Sequence, residues 1–135
     1  MSEKNTLYDN LRNPVSTIER GQQIPSGLNK LSVHVWIVND AGEYLLQQRM
    51  GTAKKFPNMW GQTGGGAIAG ESSWDACVRE TEEELGIKPT PEKSVLVGTI
   101  KRPMDFVDVW LVHSNAKISD LKPQASEVQS VKWAT

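Results

Sequence analysis

The chain has 135 residues, 38% of them hydrophobic, enough for one domain with a core of its own. Fifteen basic against sixteen acidic residues leave a net charge of −1, which excludes the broad basic surface that nucleic-acid binding requires. Its lone cysteine, Cys77, cannot form an internal disulfide and fits a reducing compartment. No apolar run reaches membrane-spanning length and no secretory signal opens the sequence, so the expectation is a cytoplasmic protein without a membrane partner.

In chain order, residues 7–20 read as a short hairpin turning at Asn10-Leu11-Arg12-Asn13, with Pro14 leaving the turn. Residues 21–27 hold Pro25 and two glycines and read as loop. The run Leu31-Ser-Val-His-Val-Trp-Ile-Val38 is rich in β-branched and aromatic residues and predicts a central strand. A turn over Asn39-Asp-Ala-Gly42 returns the chain as a second strand over 43–49, making a hairpin. A polar loop over 50–58 leads to Trp60 and a glycine loop at Gly64-Gly65-Gly66. Next comes a helix. Ser72 and Asp75 read as its capping pair, Gly86 suits its left-handed end, and Trp74, Val78, Thr81 and Leu85 form its apolar stripe. Residues 94–100 and 106–113 predict two more strands, and 127–133 a last one. Strands with a helix between them argue for a mixed sheet in an α/β domain.

The helix concentrates acid. Glu80, Glu83 and Glu84 stand at spacings that share one helical face, where like charges repel. A divalent cation relieves that repulsion, and hard carboxylate oxygens suit magnesium or manganese; a solvated acidic face satisfies the same spacing. The wider pattern decides between them. Gly65, Glu71, Arg79-Glu80, Glu83-Glu84, Gly86 and Ile87 together resemble the Nudix box, departing only at Thr81, where that family prefers an aliphatic residue.

The resemblance implies an α/β/α sandwich with a mixed sheet, spanning 1–135 as one domain. It implies metal-dependent hydrolysis of a diphosphate linkage in a nucleoside diphosphate derivative or similar small molecule, with Mg2+ (or Mn2+) as cofactor. Carried over to this sequence, Glu83 and Glu84 become the principal metal ligands and Glu80 a further ligand or the base. The Gly64 carbonyl becomes an added ligand, Arg79 orients the carboxylates, and Glu71 supports Arg79 from behind. Arg49, Lys54 and Lys55 are candidates for gripping phosphate, and Trp60, like Trp36 and Trp110, for stacking on a base. Asp105 and Asp108 are candidate distal ligands, and His34 reads as a core histidine. In this fold a second helix follows the last strand; the sequence reaches Thr135 without one. Truncation or a covering partner is the expectation, with exposed apolar surface that favours a homodimer.

A looser likeness runs through Tyr8-Asp-Asn, Arg20-Gly, Ile24-Pro, Gly27 and Val33-His-Val-Trp-Ile-Val. These segments resemble the Nudix branch related to isopentenyl-diphosphate isomerase. Those enzymes place a catalytic cysteine after the tryptophan matching Trp60, where this sequence reads Gly61-Gln-Thr-Gly-Gly-Gly66. Hydrolysis is therefore the reading, with isomerase-like chemistry or a non-catalytic nucleotide-binding module as alternatives.

Overall fold

A computed structural model describes residues 3–135. The central strand β3 (Lys30–Val38) alternates strictly: Leu31, Val33, Val35 and Ile37 are buried, while Ser32, His34 and Trp36 point to the other face. That period of two sets the layer order of the domain. The buried set meets the helix α1 (Ser73–Leu85) through Ala76, Cys77 and Leu85 in one hydrophobic core. Each fully buried aliphatic side chain in such a core contributes about 1.5–3 kcal/mol.

Both ends of α1 follow the sequence pattern. The Ser72 hydroxyl accepts the Asp75 N–H at 3.0 Å, and the Asp75 carboxylate accepts the Ser72 N–H at 3.1 Å. Gly86 closes the helix at φ 76°. The apolar stripe sits one step round from the expected one. Ala76, Cys77, Thr81 and Leu85 are buried, whereas Trp74 and Val78 are only half-buried. Thr81 is fully buried because its hydroxyl donates to the Cys77 carbonyl at 2.7 Å, which satisfies the one polar atom an aliphatic residue would lack.

The sheet is mixed. β8 (Asp105–His113) runs parallel to β3, with Val33 beside Asp108 and Val35 beside Trp110, and β7 (Ser94–Arg102) pairs antiparallel on its far side. The expected hairpin between β3 and β4 (Tyr44–Arg49) closes only at Val38–Tyr44. Its strands part because β6 (Thr63–Gly66) takes that edge of β3, and β4 turns to β5 (Trp60–Gly61) and β9 (Val128–Ala134). The glycines expected as a loop are thus strand β6; the loop follows it. His34 lies outside the core layer, half-buried on the face away from α1. The edge strand β7 leaves Val95, Leu96, Val97 and Ile100 exposed; at the last strand, where the sequence places exposed apolar surface, Val131 and Trp133 are instead partly buried against the core.

The N-terminal hairpin forms as expected, from β1 (Lys4–Tyr8) and β2 (Pro14–Glu19), and is a separate two-stranded sheet. Such ribbons are marginal alone, and this one is tied down at three places. Tyr8 and Asn29 exchange backbone hydrogen bonds at 2.8 Å, and the Ala69 N–H donates to the Lys4 carbonyl at 2.8 Å. At the turn Arg12 grips Asp108 on β8.

Candidate active site

The helix, the glycine strand and the hairpin meet around a cleft of about 590 Å³. Glu80, Glu83 and Glu84 all line it, together with Arg79 and the backbone of Gly64, Gly65 and Gly66. The glycines let the chain pass close to these groups. A Cβ at Gly65 would sit 2.6 Å from the Glu80 carboxyl, and one at Gly64 would lie 2.2 Å from the Val33 carbonyl oxygen.

Arg79 holds the acidic residues in a fixed pattern. Its Nε and one terminal nitrogen donate to the two oxygens of Glu71 at 2.7 and 3.0 Å, a forked pair. The remaining donors reach the Gly66 carbonyl at 3.0 Å, Glu80 at 3.0 Å and Glu83 at 3.2 Å. Glu71 is anchored in turn by the Ile68 N–H at 2.7 Å. Burial works against the Glu71 charge, but Arg79 and that N–H outweigh it and hold its pKa below the ordinary value. Glu80 behaves in the opposite way. Burial, with Glu84 and Glu83 nearby, pushes its pKa up to about 7 despite Arg79. Glu83 is half-exposed at the rim.

Glu84 faces inward. Its Oε2 accepts the Gln47 side-chain N–H at 2.7 Å and the Thr63 hydroxyl, and the Gly64 N–H also reaches its carboxyl. Burial still raises its pKa. Among the described residues no three acidic, histidine or cysteine side chains converge into a ready-made metal cage, because Arg79 stands between Glu80 and Glu83 while Glu84 turns toward β4 and β6. The donor set nonetheless fits a hard cation that takes only one or two protein carboxylates and fills its remaining positions with water and phosphate.

Of the expected substrate contacts, Arg49 and Lys55 line the cleft, whereas Lys54 and the stacking candidate Trp60 do not. The Lys132 ammonium sits over the Trp60 ring, 4.2 Å from its centre. Trp110 is packed on Trp74 and donates to the Ser73 hydroxyl at 2.8 Å, and Trp36 meets Tyr44 edge-on. Asp105 pairs with Arg102 and Asp108 with Arg12, so both are engaged away from the cleft. The sequence did not single out Asn5, Arg20, Lys30 or Glu127, which also line it. Gln47 carried a signal: it shares the inward phase of Leu45 on β4 and is polar. Thr63 carried none.

Residues 28–135 match the NUDIX domain family. The chain is a Nudix hydrolase. It is 32% identical over 136 residues to the Nudix hydrolase lin0387 of Listeria innocua, covering all of this chain and 80% of that protein. It is also 32% identical over 127 residues to an isopentenyl-diphosphate Delta-isomerase of Shigella flexneri, covering 89% of this chain and 70% of that one. In fold this Nudix domain resembles DR0079 of Deinococcus radiodurans, with a TM-score of 0.81 at 20% identity over 98% of this chain and 83% of that one. It also resembles the NUDIX domain of Shewanella oneidensis NrtR, solved with ADP ribose, with a TM-score of 0.63 at 20% identity over 78% and 72% of the two chains. Nudix hydrolases act on phosphorus-containing acid anhydrides, and the family generally requires divalent cations such as Mg2+.

Proposed function

We propose that residues 1–135 form a single Nudix domain that hydrolyses a diphosphate linkage in a nucleoside diphosphate derivative or similar small molecule, using magnesium or manganese. The observation that carries this is one cleft holding both Glu80, Glu83 and Glu84 and, besides Arg79, four cations, Arg20, Lys30, Arg49 and Lys55. A diphosphate has charge for the cations and a metal-bridging oxygen for the acids.

Glu83, Glu84 and the Gly64 carbonyl would hold the cation, which when bound neutralises phosphate oxygens and acidifies water. Glu80 is a further ligand or the proton acceptor. A carboxyl pushed up to about 7 exchanges protons readily near neutral pH. Arg79, fixed by Glu71, keeps Glu80 and Glu83 in register. Arg49 and Lys55 bind the phosphates. The isomerase cysteine has no counterpart in the cleft, since the only cysteine is fully buried in the core, where burial pushes its thiol up to about 12.

The test is a panel of nucleoside diphosphate sugars, dinucleotides and isoprenoid diphosphates with magnesium, resolving both products. Cleavage of one class should appear and fall at least about a hundredfold in Glu83→Gln. Undiminished turnover by that variant would overturn the assignment.

A further inference from the structure

Glu84 is the one acidic residue lining the cleft whose carboxylate is gripped from the sheet, and both side-chain donors reach the same oxygen. Gln47 on β4 and Thr63 on β6 both donate to Oε2. Arg79, which bonds Glu71, Glu80 and Glu83, makes no ion pair with Glu84. Thr63 is buried at 2% exposure, and its hydroxyl is the donor, because an ionised carboxylate can only accept. The Gln47 amide is oriented by chemistry, because its alternative flip would set oxygen against the Glu84 carboxylate. That orientation leaves Gln47 Oε1 buried with no hydrogen-bond donor.

We infer that Gln47 and Thr63 are positioning residues that clamp Oε2 of Glu84, leaving the other carboxylate oxygen as a one-point ligand for the divalent cation. Both residues act through Glu84 and touch neither phosphate nor the reacting atoms. This rests on the cation-dependent reading above and deepens it, by assigning the cation's support to β4 and β6 rather than to the acidic helix alone. It also accounts for two polar residues at inward positions: Gln47 in the phase of Leu45, and Thr63 beside Val35.

The experiment measures Mn2+ binding directly, by the loss of the free-ion paramagnetic resonance signal, for wild type, Gln47→Met, Thr63→Val and Thr63→Ser. Thermal unfolding of each checks the fold. Hydrogen-bonded supports of metal ligands typically contribute 10–100-fold in affinity. Gln47→Met and Thr63→Val should therefore each weaken Mn2+ binding at least about tenfold while their folded signal persists, and Thr63→Ser, which keeps the hydroxyl, should stay within about threefold of wild type. Concentrations of Mg2+ for half-maximal turnover should shift in parallel, with substrate KM at saturating metal unchanged. Wild-type Mn2+ affinity in both Gln47→Met and Thr63→Val overturns the clamp while the hydrolase reading stands. No Mn2+ binding by the wild type overturns both. If Thr63→Val does not fold, Gln47→Met alone decides, since its near-isosteric side chain keeps the packing of β4.

Discussion

Cutting Arg12 back to alanine should loosen the whole N-terminal hairpin, and the structure sets the size of the effect. Arg12 donates to both oxygens of Asp108, at 2.8 and 2.5 Å, and its side chain is 34% exposed against 1% for the aspartate. Removing one member of a fully buried pair costs about 3–5 kcal/mol, because the other charge is stranded. Here the Thr99 hydroxyl still donates at 2.7 Å, and the arginine is partly solvated. The expected loss is therefore about 2–3 kcal/mol, or roughly 8–12 °C in Tm. Urea unfolding followed by circular dichroism measures it. The pH dependence follows from Asp108. Burial opposes its ionisation, but Arg12, Ser73 and Thr99 outweigh that and hold its pKa below the ordinary value. A carboxyl depressed in the folded state stabilises fully above its unfolded value of about 3.9, and that contribution is lost as pH falls through the lower folded value. The gap between wild type and Arg12→Ala should thus be full at pH 7 and shrink below about pH 4. Adding Asp108→Asn to Arg12→Ala should recover at least about 1 kcal/mol, since a stranded amide costs less than a stranded charge. A loss under about 0.5 kcal/mol at pH 7, the level of an ordinary surface pair, would refute the staple.

Three further outcomes follow from the same geometry. Gly64→Ala forces a Cβ to within 2.2 Å of the Val33 carbonyl and should cost about 1–3 kcal/mol by overpacking; a variant as stable as wild type in urea would contradict the close β3–β6 approach. Ser72→Ala removes the helix cap and should cost about 1 kcal/mol, read as a shift in unfolding midpoint, with no change counting against the capping box. Cys77, fully buried and with its thiol pushed up to about 12, should resist a thiol-disulfide reagent at pH 8 and react fully in denaturant. Rapid labelling of the folded protein would place that thiol outside the core.

The helix, its caps and its acidic residues were legible in the sequence because they depend on neighbours three and four positions away. The Ser72–Asp75 box, the Gly86 end and the Arg79–Glu83 spacing are local facts, and rotation per residue is enough to derive them. So was β3, since alternation of Leu31, Val33, Val35 and Ile37 needs no partner to be seen. The exact apolar stripe was harder. Val78 looks like core by hydrophobicity, yet Ala76 and Cys77 are buried instead, because the helix rotates to bring Glu80 and Glu84 against the glycine strand.

What only the tertiary structure decided was which distant segments share an edge or a cleft. Glycines read as loop became β6, because β3 offered an unpaired edge and only a residue without Cβ passes the Val33 carbonyl. Asp108 became a staple for the hairpin, and Arg20 and Lys30 joined the cleft from segments far from the acidic helix. Gln47 and Thr63 meet on Glu84 from 37 and 21 residues away. Spacing along a helix is written in the chain itself, whereas pairing between strands is a competition settled by packing the whole sheet at once.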